Sequence, residues 1–355
     1  MSQFWNPLVK TLTPYVPGEQ PKISGLIKLN TNENPYPPSP AVASALQDVA
    51  CDTLRLYPDP DATLLKQTLA QYHQVQTNQV FVGNGSDEVL GFVFMALLKH
   101  AEPLLFPDIT YSFYPVYCKL FEIDYIEIPL DDSMQLTLSD YHDRPCSGII
   151  FPNPNAPTGS AVPLAQIEAL LKKQPNAVVV VDEAYVDFGA ETAISLVKAY
   201  PNLLVVRTFS KSRSLAGSRV GFAIGDAKLV DGLERVKNSF NSYPLDKMAQ
   251  IAAIASYSDE AYFQKTKQAI IDSREQLTEA LHKIGFTILP SSANFIFARH
   301  ASIPAAQLAA GLRDRAIIVR HFSHPRINQY LRITVGTPEE CATLIQTLKL
   351  LTSAA

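Results

Sequence analysis

The chain has 355 residues, 47% hydrophobic and 18% charged, with a formal net charge of −4. At roughly 150 residues per domain this length suggests about two domains, and the apolar share excludes a disordered chain, a solenoid and a disulfide scaffold. The mild negative charge offers no field for nucleic acid or an anionic membrane, so neither is expected as a partner; proline outnumbers glycine 26 to 15, which points to rigid turns.

In chain order, the first ten residues lack a basic stretch leading into an apolar core, so a secretory signal is not expected. The longest apolar runs, such as Val89 to Leu98, are too short to span a bilayer, and the protein is expected to be soluble and cytoplasmic. The proline-rich segment from Pro7 to Pro40 cannot form a core of its own and should wrap across later elements. Strands are then expected at Val80–Val82, Leu104–Phe106, Ile123–Ile128, Gly148–Phe151, Val178–Val181, Leu203–Arg207 and Val220–Ile224. Several are unbroken apolar runs without alternation, as in strands buried on both faces. Helical stretches such as Ser86–Lys99 and Leu164–Lys173 lie between them, and this rhythm predicts an α/β fold with a mostly parallel seven-stranded sheet flanked by helices.

From Leu245 to Ile284 the pattern turns into a long helical stretch, with Asp246, Ser258 and Asp259 at possible helix starts and Gly285 as a stop. Strands at Asn294–Ala298, Ile317–Val319 and Leu331–Thr334 and helices near Pro304–Arg315 and after Thr337 complete a smaller α/β domain. The expected division is 1–40 as a strap joining the small domain, 41–245 as the large domain and 246–355 as the small one. Cys51, Cys118, Cys146 and Cys341 are scattered without CxxC spacing and read as reduced thiols. His321 and His324 read as solvated loop histidines, so no metal site is expected.

Four constellations fall at strand ends, where open α/β sheets bind ligands. In Val82-Gly83-Asn84-Gly85-Ser86-Asp87-Glu88 a strand runs through a glycine turn into a helix start, whose free N–H groups and Ser86 hydroxyl suit a phosphate; an ordinary capped turn is the alternative. It lacks a P-loop lysine and the third glycine of a dinucleotide fingerprint. Asn153-Pro154-Asn155-Ala156-Pro157-Thr158-Gly159 makes a rigid loop whose amides can hydrogen-bond a bound ring. A valine run then puts Asp182 at the end of a buried strand, where an anion needs a partner such as a protonated heterocycle nitrogen. Lys211, in a Ser/Thr-rich strand-end loop with Arg219 near in sequence, suits a Schiff-base amine. Together these are the parts that pyridoxal phosphate requires. Asp182 and Lys211 lie 29 positions apart (211 − 182), room for one helix and one strand.

With these blocks in place the chain resembles the fold-type-I aminotransferases and, among them, the histidinol-phosphate aminotransferase family. Further motifs carry the resemblance across nearly the whole chain: Leu12-Thr13-Pro14-Tyr15, Leu29-Asn30-Thr31-Asn32-Glu33-Asn34-Pro35, Arg55-Leu56-Tyr57-Pro58 and Leu331-Arg332-Ile333-Thr334-Val335-Gly336-Thr337. The resemblance implies Lys211 as the Schiff-base lysine, Asp182 against the pyridine nitrogen, Tyr185 at O3′ and Tyr111 stacked on the ring. Gly85, Ser86, Asp87, Ser210 and Arg219 would hold the cofactor phosphate, and Tyr57 would reach the cofactor of the other subunit of a homodimer. Arg332 would clamp the α-carboxylate of glutamate, with Arg320 and Tyr15 at the substrate phosphate or the distal carboxylate and Asn32 and Glu33 in the entry segment toward the imidazole. The implied reaction joins histidinol phosphate and 2-oxoglutarate to imidazole-acetol phosphate and glutamate. One departure stands out: the family pattern has Asn immediately before Pro-Thr-Gly, whereas this chain has Ala156, and Asn155 is expected to supply the missing amide. A broad-range or aromatic aminotransferase, or a decarboxylase of a phosphorylated amino acid, would use the same cofactor parts; a cofactor-binding regulator lacks room for a DNA-binding module.

Overall fold

The computed structural model describes residues 2–353. Its strands are β1 (Ile27–Leu29), β2 (Val80–Asn84), β3 (Leu104–Pro107), β4 (Tyr125–Ile128), β5 (Gly148–Pro152), β6 (Val178–Asp182), β7 (Leu203–Thr208), β8 (Val220–Gly225), β9 (Phe286–Ile288), β10 (Phe295–His300), β11 (Ile317–His321) and β12 (Leu331–Thr334). A seven-stranded sheet has the order β2-β8-β7-β6-β5-β3-β4 and a five-stranded sheet the order β1-β11-β12-β10-β9. In the large sheet only β8 runs antiparallel to its neighbours. All seven strands of this sheet were expected from sequence, and the continuous apolar runs among them are buried on both faces, whereas the edge strand β4 exposes Tyr125 and Ile126. In β6, Val179 and Val181 enter one core layer while Val180 enters the other, and β7 divides in the same way.

The proline-rich segment contributes β1, which pairs in parallel with β11 and makes the small sheet discontinuous in sequence. Both β1 and β9 escape sequence reading, since three residues carry no periodicity. The long helical stretch is two helices, Lys247–Ser258 and Glu260–His282, N-capped by Asp246 and Asp259. The first helix buries Ala249, Ala252, Ala253 and Ala255 in the core of the large sheet. Alanines let that helix pack closely on the helices Pro40–Gln47 and Thr63–His73, whereas the second helix turns Ile270, Leu277 and Leu281 into the small sheet's core.

Candidate active site

Parallel strands of the large sheet deliver their carboxyl ends to one cleft against the small sheet. The cleft has two chambers, of about 380 and 370 Å³, which share Thr31, Tyr111, Ala156, Tyr185 and Lys211 as walls. Asp182, Ser86, Asp87, Ser210 and Arg219 line one chamber; Tyr15, Asn32, Arg320 and Arg332 line the other. Thirteen positions singled out from sequence therefore meet at one place, with Lys211 on the boundary between chambers.

In the first chamber Asp182 is 5% exposed. It accepts hydrogen bonds from the Tyr114 hydroxyl at 3.0 Å and the Ala184 N–H at 3.1 Å. Burial pushes its pKa up to about 6, against the opposing effect of those two bonds. A carboxylate so placed is short of a cation, and a protonated ring nitrogen would supply one. Tyr114 has no motif of its own and was missed, although its bond to Asp182 holds that carboxylate in place.

The phosphate end is braced by Asp87. Its carboxylate accepts from Arg219 Nη2 at 2.9 Å and from the Tyr111 hydroxyl at 2.8 Å. An anion does not bind another anion directly, so Asp87 orients Arg219 and Tyr111, and contact with phosphate falls to Ser86, Ser210, Arg219 and the helix N-terminus. Two glycines make the close approach possible. Gly85 has φ +79°, and a Cβ there would lie 2.6 Å from Arg219 Nη2. At Gly221 a Cβ would lie 2.3 Å from the Ser86 nitrogen.

Lys211 donates from Nζ to the Thr31 carbonyl at 3.0 Å, while Asn34 Nδ2 donates to the Lys211 carbonyl at 3.0 Å. The strap thus holds both the backbone and the amine of the loop lysine. Tyr185 stands edge-on to Phe295, and its hydroxyl accepts from Asn32 Nδ2 at 3.0 Å. Behind the loop, Arg207 pairs with Asp187, which also accepts from the Ser212 hydroxyl, while Glu183 accepts from Thr192 Oγ1 at 2.6 Å. Asp182 and Lys211 are each followed by a residue anchored in this buried network.

Two expectations need correction. Asn155 does not offer its amide to the cleft: Nδ2 donates to the Ile109 carbonyl at 3.1 Å and to Thr158 Oγ1 at 3.0 Å. One hydrogen is spent inside the loop, where the bonds preceding Pro154 and Pro157 are cis, and the other on the segment after β3, while Ala156 faces the cleft instead. Glu33 lines the cofactor-side chamber, not the one with Arg320 and Arg332. There burial would raise its pKa, but hydrogen bonds from Lys28 and Thr31 prevail and hold it below the usual carboxylate value. Tyr57, expected to serve the other subunit's cofactor, lines neither chamber of its own chain; it is 82% exposed and stacks on Tyr243 at 4.6 Å.

The second chamber holds two arginines without ion-pair partners. Arg320 and Arg332 sit opposite each other on β11 and β12, and neither forms an ion pair among the described residues. Arg332 donates from Nη2 to the Asn30 carbonyl at 3.0 Å, and its buried Nε has no partner. Burial, with Arg320 adding to it, lowers the Arg332 pKa. Like charges facing each other across a ladder are unfavourable. An anion bridging them removes that cost. His324 also lines this chamber, so one of the two histidines read as solvated belongs to its wall; His321 instead bonds the Asn328 carbonyl at 2.9 Å. Asp108, Glu127 and Phe322 in the same wall carried no sequence signal.

Known proteins resemble this chain over nearly its whole length. The family described as aminotransferase class I and II matches residues 24–348. Histidinol-phosphate aminotransferase 2 of Dechloromonas aromatica is 62% identical over 99% of this chain and 100% of its own length. Histidinol-phosphate aminotransferase 1 of Pseudomonas aeruginosa is 60% identical over 99% of this chain and 100% of its own. Among solved structures, that of histidinol-phosphate aminotransferase from Sinorhizobium meliloti in complex with pyridoxal-5'-phosphate superposes with a TM-score of 0.90 at 23% identity. It covers 100% of this chain and 99% of that one, and at this identity it speaks to the fold. No helix of the described residues is long and apolar enough to cross a membrane.

Proposed function

The chain belongs to the class I and II aminotransferases, and from that premise we propose that it transfers an amino group between histidinol phosphate and 2-oxoglutarate, with pyridoxal phosphate as cofactor. The products are imidazole-acetol phosphate and glutamate, formed in two half-reactions through one site. The observation that carries the substrate reading is the unpaired Arg320–Arg332 couple in a chamber that opens on Lys211. Glutamate brings carboxylates and histidinol phosphate a phosphate, so one pair of guanidinium groups serves both half-reactions.

The residues of the first chamber fit the cofactor: Asp182 lacks a cation, Ser86, Ser210 and Arg219 gather where a phosphate would lie, and Tyr111 and Ala156 leave a slot for a ring. Bound there, pyridoxal phosphate supplies an electron sink that lets the substrate Cα lose its proton. Asp182 keeps a proton on the ring nitrogen by placing negative charge beside it. Tyr185, held by Asn32, donates from its hydroxyl toward the ring oxygen. Lys211 Nζ accepts the Cα proton and returns it on the other side of the transfer. Arg332 and Arg320 hold the anionic end of the substrate, aligning the Cα–H bond with Lys211.

The reading includes a homodimer in the cytoplasm. Exposed Leu54, Leu56, Tyr57, Phe240 and Tyr243 are candidates for the subunit contact. A panel of amino donors tests the substrate: histidinol phosphate should exceed phenylalanine in kcat/KM by about two orders of magnitude, given a charge-assisted anion contact that phenylalanine's side chain cannot make. Comparable values for the two would overturn the assignment.

A further inference from the structure

The segment from Phe322 to Tyr330 joins β11 to β12, so Arg320 precedes it and Arg332 follows it. It belongs by sequence to the small sheet, yet it is docked on the large one. Arg326 is the anchor. Its Nη1 donates to Asp108 Oδ2 in an ion pair, and its Nη2 donates to the Leu130 carbonyl at 2.9 Å and the Asp131 carbonyl at 3.3 Å. Asp108 is held in turn, since its Oδ1 accepts from the Leu130 N–H at 2.9 Å. The guanidinium fork therefore spans the ends of β3 and β4, which a point charge cannot do. Following the anchor in the loop, Ile327 at 4% and Tyr330 at 7% exposure are buried in the core of the large sheet.

Phe322, His324 and Ile327, together with Asp108, form the wall of the substrate chamber beyond the arginine pair. We propose that the Arg326–Asp108 clasp is a positioning pair that builds this wall and so selects an amino donor carrying a ring. The arginines hold an anion from either donor. Glutamate ends there, leaving the space against Phe322 and Ile327 empty. A ring-bearing phosphate ester fills it, so only that donor senses where the loop lies. The inference rests on the proposed substrate reading and assigns Arg326 no contact with substrate or cofactor.

The test compares KM for the ring-bearing donor with KM for glutamate in the cofactor-loaded enzyme, in wild type, Arg326→Gln and Arg326→Lys. Arg326→Gln should raise KM for the ring-bearing donor about 10-fold or more while glutamate KM and both kcat values stay within about 3-fold, since a charged hydrogen bond to the loop is lost. Arg326→Lys restores the ion pair without the fork and should fall between; it also carries the test if the Gln variant fails to fold. Equal rises for both donors, or no rise for either, would overturn the clasp as a selector. Wild-type rates with histidinol phosphate decide the substrate reading separately. The ratio between variant and wild type, measured with whichever ring-bearing donor is turned over, decides the clasp.

Discussion

The two chambers of the cleft are built on opposite electrostatic plans. On the cofactor side the polar groups hold each other: Asp87 braces Arg219 and Tyr111, and Tyr114 braces Asp182. On the substrate side Arg320 and Arg332 face each other with no carboxylate between them, and Arg332 Nε is left without an acceptor. The difference follows residence time. A cofactor that stays bound is served by side chains already locked in place, because ordering them on binding would weaken affinity. A site that must accept glutamate and then a phosphate ester in turn leaves its charge unsatisfied until each ligand arrives.

Substitutions can break this contrast at several depths. The largest effect is expected at the shared wall. Lys211→Ala should lower turnover by about four orders of magnitude or more, the range for a positioned proton-transfer group that also binds covalently. Visible absorbance of a covalently attached cofactor should vanish with it; its survival would refute the lysine assignment.

Asp182→Asn strikes the braced chamber. The variant keeps the shape and the Tyr114 contact but removes the charge, and kcat/KM should fall by about two to three orders of magnitude, as when one partner of a buried ion pair is lost. Its effect on the cofactor-free protein should have the opposite sign. The folded pKa of Asp182 is raised to about 6, above its unfolded value, so the native state binds the extra proton and loses stability as pH rises through about 6. Asn carries no such penalty. Cofactor-free Asp182→Asn should therefore melt higher than wild type at pH 8 and about equally at pH 4. A lower melting temperature at pH 8 would mean that the carboxylate already has a cation.

Sequence legibility divides along the same line. Ser86, Asp182, Ser210 and Lys211 sit within a residue or three of a strand end, so an apolar run followed by a polar residue located them. The substrate chamber is assembled from the strap, β11, β12 and the loop between them. Only the resemblance pointed to Arg320 and Arg332 there, because a lone arginine on a short strand has no local signature. Asp108, His324 and Tyr114 depend on contacts across 68 to 218 positions, of which the Tyr114–Asp182 and Arg326–Asp108 pairs are the extremes. No window of sequence contains such a pair. Asn155 failed for a related reason: its motif position was right to within one residue, but the distant Ile109 carbonyl and the loop's own Thr158 hydroxyl claim its amide.

In the substrate chamber, Arg332→Lys keeps the charge and forfeits the two-pronged geometry. It should raise KM for both glutamate and histidinol phosphate by about 10- to 100-fold, the value of one charge-assisted hydrogen bond. A rise for only one donor would show that the two anions are held by different residues and would break the shared-pocket reading.

The smallest effect on catalysis is expected where the family pattern is broken. Asn155 is 1% exposed and donates to Ile109 and Thr158, so Asn155→Ala should cost about 1–3 kcal/mol of stability, read as a lower denaturation midpoint. It should leave kcat within about 3-fold and the absorbance maximum of the bound cofactor unmoved, since a group that does not touch the ring cannot tune it. Tyr185→Phe is the opposite case, because it deletes the hydroxyl that Asn32 holds beside Lys211. The absorbance maximum should shift in that variant alone. A shift in Asn155→Ala as well would mean that the amide turns from Ile109 and Thr158 to the ring when the cofactor binds. The cofactor chamber would then be less fully braced than its hydrogen bonds imply.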